Sequence, residues 1–216
     1  MAIKAAIFDL DGTVLDSMAV WNALDSNFLR SLGLAPKPGL QEAVMALTLR
    51  QSAAYFRKEY GVPLTEHEII NRIHDEIRKA YENDIPLKPG ADRALKYLQH
   101  IGLPMAVATA TEKHLAEAAL RRLGILSFFS GIFTCEMVGK GKSDPDVYLA
   151  ASAFLGFSRH ETLVFEDAPF AAKTAFDAGF KVAVVHDDVS AGFGDTSFAH
   201  IRLTDFSELK KYIEAE

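Results

Sequence analysis

The sequence predicts an α/β protein: a doubly wound parallel sheet with an all-helical unit inserted after its first strand. Three observations carry this. Residues 3–8 form a short apolar run that stops at Asp9-Leu10-Asp11-Gly12, as a strand buried on both faces stops in a polar loop. Residues 17–85 show helical periodicity and no good strand. From Pro86 onward, apolar runs alternate with helix-period stretches, the pattern of strands joined by crossover helices. The chain therefore divides into a core, residues 1–16 and 86–216, and a helical cap, residues 17–85.

Within the cap region, Val20, Leu24, Phe28 and Leu32 recur every four residues and make one helical stripe, widened by Trp21 and Leu29. A second helical stretch covers residues 40–60, closed by Gly61 and Pro63. Thr65 and Glu68 have capping-box spacing, and Ile69, Ile70, Ile73 and Ile77 then line a helix face. In the core, helices are expected over 91–101, 112–123 and from Asp144-Pro145, taken as N-cap and first turn, through Val147, Tyr148 and Leu149. Strands are expected at 104–108, Ile132-Phe133, 162–165 and 182–185. A helix running to Ala178 stops at Gly179, and Asp205 with Glu208 caps a last helix.

The 216 residues are 49% hydrophobic and 24% charged, with a net charge of -6, enough for a sizeable core. No Lys/Arg run offers the basic face that nucleic acid requires, so no nucleic-acid partner is expected. No apolar stretch is long enough for a bilayer and no signal peptide precedes the first strand, so a cytoplasmic protein without a membrane partner is expected, as a monomer. The single cysteine, Cys135, has neither a disulfide nor a zinc partner and is expected in the core.

In open parallel sheets, ligands bind beyond the carboxyl ends of the strands. The first predicted strand delivers Asp9 and Asp11 there, and the second delivers Thr109, Ala110 and Thr111. The strand at 162–165 delivers Glu166 and Asp167, and the segment before the Asp144 helix adds Lys140 and Lys142. Four carboxylates in one crevice repel one another, so a cation must sit among them or some must hold protons. All-oxygen donors suit Mg²⁺. A metal and a lysine together would make the locally positive hole that a phosphate needs in an acidic protein. If the chain turns at Gly12, one carboxylate of the pair can attack phosphorus and the other can protonate the leaving oxygen. Asp-x-Asp-Gly is also a common turn-capping sequence. Two other motifs fail: an EF-hand loop needs Glu where Val20 stands, and a Walker A loop needs Gly where Glu136 stands.

Phe8-Asp9-Leu10-Asp11-Gly12-Thr13-Val14-Leu15-Asp16-Ser17 resembles the first motif of the haloacid dehalogenase-like (HAD) hydrolase superfamily. Val107-Ala108-Thr109-Ala110-Thr111 resembles the second, the lysine segment at Gly139 through Tyr148 the third, and Val164-Phe165-Glu166-Asp167 through Gly179 the fourth. The insert is similar to the four-helix cap of the phosphoglycolate phosphatase and β-phosphoglucomutase branch. The resemblance implies a Rossmann-like core and phosphatase activity on a small phosphorylated metabolite through an aspartyl-phosphate. It implies Asp9 as nucleophile, Asp11 as general acid/base, and Thr109, Ala110 and Lys142 as holders of the phosphoryl group. It implies Mg²⁺ on Asp9, the Asp11 carbonyl and Asp167, with Glu166 a further acidic ligand.

The sequence departs from the family pattern at Ser143, usually Pro, and at Ala168 and Ala171, usually Ser and Gly. A sugar-phosphate mutase of the β-phosphoglucomutase type is the alternative enzyme reading, and a non-catalytic regulator on this fold the alternative outside enzymes. Substrate choice is expected from the cap and its joint, near Asp16, Met18, Trp21, Thr48 and Arg50.

Overall fold

The computed structural model describes residues 3–44, 47 and 49–213. Two compact units emerge: Met1–Met18 with Ile85–Glu216, and Ala19–Asp84.

The larger unit is built on six parallel strands: β1 (Ala5–Phe8), β2 (Met105–Thr109), β3 (Ile132–Thr134), β4 (Thr162–Glu166), β5 (Lys181–Val185) and β6 (Ile201–Leu203). Their order across the sheet is β3-β2-β1-β4-β5-β6. The chain winds outward from β1 to β3, then returns to β4 on the other side. The strand order therefore reverses at β1, and a crevice at its carboxyl end is the expected ligand position. In register, Phe8 lies beside Val107 and Phe165, so the residues that follow β1, β2 and β4 emerge at one rim.

Both faces of the sheet are covered, which explains why β1, β2 and β4 are buried throughout. On one face Ile7, Ala106, Ala108, Val164 and Val182 pack with Val147, Tyr148 and Ala151 of the helix Asp146–Leu155 and with Ala172 and Ala175 of the helix Pro169–Asp177. On the other, Phe8 stacks on Phe165 with ring centroids 4.4 Å apart, and Phe206 closes over both. The two segments that flank the helical unit pair with each other: Leu15 bridges Leu87, the Asp16 amide donates to the Pro86 carbonyl (2.9 Å), and the Lys88 amide donates to the Val14 carbonyl (2.9 Å).

The smaller unit contains the helices Leu40–Val44, Leu49–Tyr60 and Glu66–Lys79, most of the helix Met18–Ser31, and a short π-helical turn, Ala80–Asp84. Leu24, Phe28 and Leu29 supply the buried stripe of the first helix. Thr65 and Glu68 form the expected capping box, and Ile69, Ile73 and Ile77 are buried.

Some boundaries differ from the sequence expectation. The stretch at 40–60 holds two helices, Leu40–Val44 and Leu49–Tyr60, and the Leu47 amide donates to the Val44 carbonyl (2.8 Å). Asp144 does not cap its helix. Pro145 occupies the N-cap, while Asp144 lies 3.7 Å from Lys140. The strand β6 and the short helix Cys135–Val138 were not anticipated: runs of three and four residues give too little periodicity to register. Cys135 is half-buried, and burial pushes its thiol up, away from reactivity. Among the described residues, no helix is long and apolar enough to cross a membrane.

Candidate active site

Asp9 follows β1 directly, where the strand ends in a tight loop. The Leu10 carbonyl accepts amides from Thr13 (3.2 Å), Val14 (2.9 Å) and Leu15 (2.8 Å), which coils the chain back on itself. Gly12 makes this possible in two ways. Its φ is +80°, and a Cβ there would run into the Asp167 carboxylate and stand 2.9 Å from the Met18 Cγ.

Three carboxylates and one ammonium meet at this rim. Lys142 contacts Asp9 Oδ1 and lies 2.6 Å from Glu166 Oε1. Tyr148 donates its hydroxyl to the same Glu166 oxygen at 2.6 Å. Asp167 accepts from the Thr13 hydroxyl at 3.2 Å and from the Ser190 hydroxyl. All four charged groups are buried, Glu166 completely. Oxygens of Asp9, Glu166 and Asp167 lie within 4.8 Å of one another.

The charges are out of balance. Three carboxylates against one ammonium leave two negative charges uncompensated. Burial, then Glu166, pushes Asp9 well above the usual carboxylate range, and Lys142 only partly offsets this. Burial likewise raises Glu166 and Asp167. Burial works to lower Lys142, but Asp9 and Glu166 outweigh it and hold the ammonium protonated above its ordinary value. The second oxygen of Glu166 is buried with no hydrogen-bond partner among the described residues. An orphaned carboxylate oxygen beside two more carboxylates fits a divalent metal bound by oxygen donors.

Asp11 is placed differently. It is half-buried, and its two oxygens accept hydroxyls from Ser17 (2.6 Å) and Thr111 (2.5 Å). Thr109 is fully buried at the end of β2, and its hydroxyl oxygen accepts the Thr111 amide at 3.0 Å. Ala110 is exposed between them. Lys140 points elsewhere, to Asp146 at 3.2 Å, so Lys142 alone of the two lysines enters the carboxylate cluster. Asp16 is exposed at the start of the joint, 3.8 Å from Lys88.

In the helical unit, Trp21 is half-buried and donates its indole N–H to the Tyr81 hydroxyl at 3.2 Å. Arg50 is exposed and pairs with Glu66 at 3.4 Å. Thr48 lies outside the described residues. Sequence reasoning passed over Tyr148, Thr13, Ser17, Ser190 and Asp187. Tyr148 has the look of a core residue on a helix face, and Ser190 sits in a stretch with no periodicity.

The family model for haloacid dehalogenase-like hydrolases matches residues 6–185. The chain belongs to this family. Hexitol phosphatase A of Escherichia coli (strain K12) is 31% identical over 189 residues, 86% of this chain and 84% of that protein. A phosphorylated carbohydrates phosphatase of Thermotoga maritima is 25% identical over 186 residues, 85% of this chain and 86% of that one. Among solved structures, CbbY from Rhodobacter sphaeroides in complex with phosphate superposes with a TM-score of 0.76 at 24% identity, covering 96% of each chain, and shares the fold. Family, fold and the buried Asp9, Glu166 and Asp167 cluster are consistent with an aspartyl-phosphate phosphatase acting on a small metabolite.

Proposed function

We propose that this chain is a Mg²⁺-dependent phosphatase that hydrolyses a small phosphorylated sugar or polyol through a phosphoryl group carried on Asp9. The observation that supports it most is the contact of Lys142 with Asp9 and Glu166 inside a carboxylate cluster that still lacks two positive charges.

Asp9, Asp167 and Glu166, whose free oxygen is the orphan noted above, are the residues that would hold the metal, with the Asp11 carbonyl. When bound, Mg²⁺ neutralises the carboxylates and draws electron density from the phosphoryl group. Asp9, at the mouth of the sheet, attacks phosphorus, and the bond to the leaving oxygen breaks. Lys142 opposes the rise in the Asp9 pKa that burial causes and offers its ammonium to a phosphoryl oxygen. The Thr109 oxygen is occupied by the Thr111 amide, which leaves the Thr109 proton for a second phosphoryl oxygen, and the backbone at Ala110 offers a third contact. Asp11 gives its proton to the departing alkoxide. As a carboxylate it then activates the water that releases phosphate from Asp9. Ser17 and Thr111 orient it for both steps.

The names of the two relatives favour phosphorylated carbohydrates as the substrate class, selected by Trp21 and Arg50 of the cap with Asp16 at its joint. The protein acts as a cytoplasmic monomer in this reading. The test is turnover of p-nitrophenyl phosphate with and without Mg²⁺, followed by a panel of hexitol and hexose phosphates. Turnover that persists after metal removal overturns the metal assignment. Failure on every sugar phosphate, with retained activity on other esters, overturns the substrate class.

A further inference from the structure

Asp187 and Ser190 lie beyond the end of β5, outside every motif singled out in the sequence. Both are buried: Asp187 lies in the loop after β5, and Ser190 opens the short 3-10 turn Ser190–Phe193. Their contacts form a chain. Lys88 donates to Asp187 Oδ2 at 2.7 Å. Asp187 Oδ1 accepts the amides of Val189 (2.9 Å) and Ser190 (3.2 Å). The Ser190 hydroxyl then donates to Asp167. Both ends of this chain return to the loop that carries the nucleophile. At one end the Lys88 amide is bonded to the Val14 carbonyl, and at the other Thr13 donates to the second oxygen of Asp167. The result is a closed circuit through Thr13, Asp167, Ser190, Asp187, Lys88 and Val14.

We propose that Lys88, Asp187 and Ser190 are positioning residues that fix the Asp167 carboxylate as a metal ligand. This rests on the reading of Asp167 as a ligand. A plain turn-capping role for Asp187 accounts for its two amide bonds. It does not account for the part-buried ion pair to a lysine 99 positions away in sequence, or for a hydroxyl aimed at Asp167. The bond also has something to prevent. A cavity of about 390 Å³ opens beside Asp167, lined by Val184, His186, Ala191 and Leu203, and Arg202 lines it too. Without the Ser190 hydroxyl, Asp167 borders that space with one contact fewer to hold its carboxylate. Lys88 neutralises Asp187, so the chain adds no net charge to a cluster already too negative. Residues that orient a metal ligand typically matter by 10–100-fold in metal affinity.

The experiment is Mg²⁺ titration of the purified full chain by calorimetry, with thermal stability measured in parallel. Ser190→Ala removes one oxygen and is expected to weaken Mg²⁺ binding about tenfold. Asp187→Ala is expected to weaken it at least as much. In an Asp167→Asn background, Ser190→Ala is expected to add nothing, because its effect passes through that carboxylate. If Ser190→Ala binds Mg²⁺ like the wild type while Asp167→Asn does not, the chain is structural only and the proposal is overturned, while the ligand reading stands. If Asp167→Asn itself binds Mg²⁺ like the wild type, both are overturned. Should Asp187→Ala fail to fold, Ser190→Ala decides alone.

Discussion

The Lys142 ammonium touches the Asp9 carboxylate in a buried site, and Glu166 lies on its other side at 2.6 Å. Among the described residues, Lys142 is therefore the positive charge that opposes the forces raising Asp9, namely burial first and Glu166 second. Asp9 attacks only when ionised, so a raised value means activity lost as pH falls through it. Lys142→Met removes the opposing charge and pushes Asp9 further up. The acidic limb of the kcat/KM profile should move to higher pH, and turnover at pH 7 should fall about a hundredfold or more. An acidic limb that stays in place while the rate drops would mean that Lys142 binds phosphate without tuning Asp9.

Gly12 couples backbone conformation to a site carboxylate. An alanine there would have to hold φ near +80° and place its Cβ on Asp167. The backbone part alone costs about 1–2 kcal/mol. The collision adds a displaced carboxylate. Gly12→Ala is expected to lose more activity than its drop in denaturation midpoint explains, with a raised Mg²⁺ requirement. Activity that simply tracks the folded fraction would separate Gly12 from the site.

Away from the site, Glu161 offers a pH test of the fold. Lys4 pairs with it at 2.6 Å, and the Ser158 hydroxyl (2.7 Å) and amide (3.3 Å) donate to its other oxygen. These contacts, Lys4 first, lower its pKa from 4.5 to about 2. A carboxyl lowered by folding stabilises the native state above its unfolded value, and that contribution is lost as pH falls from there toward the folded value. Glu161→Gln should therefore unfold at a lower temperature than the wild type at pH 7. The gap should close as pH drops from 4.5 toward 2. A gap that is constant over that window would trace the effect to packing.

The sheet was legible because β1, β2 and β4 are buried on both faces, which leaves unbroken apolar runs that stop where a polar rim begins. The same rule exposed the residues that now surround Asp9: each strand end hands its next residue to the crevice. What stayed hidden were contacts from irregular segments. Ser190 reaches Asp167 only because β5 and its loop fold back beside β4, and no local pattern encodes that. Tyr148 had a clear helical position, but the aim of its hydroxyl at Glu166 depends on helix-to-sheet packing. The division of 40–60 into two helices is not legible in the sequence because no Gly or Pro stands between Val44 and Leu49 to mark it.

Asp9 and Asp11, two residues apart, have separate partners, and this predicts separate failures. Asp9 is buried against Lys142, while Asp11 is tied to Ser17 and Thr111. Asp9→Asn replaces the nucleophile with an amide that neither attacks phosphorus nor ligates a metal well, so no turnover is expected on any ester. Asp11→Asn leaves the nucleophile in place and removes the proton donor and base. With a donor whose leaving group needs no proton, Asp9 should still be phosphorylated. The phosphoryl-enzyme should then persist, because nothing activates the hydrolytic water, with turnover down roughly a hundredfold or more. Intact-protein mass after a short pulse with acetyl phosphate reads this directly. A phosphoryl adduct is expected on Asp11→Asn and not on Asp9→Asn. If Asp11→Asn hydrolyses the donor at the wild-type rate, or if Asp9→Asn carries the adduct, the two carboxylates do not divide the reaction in this way.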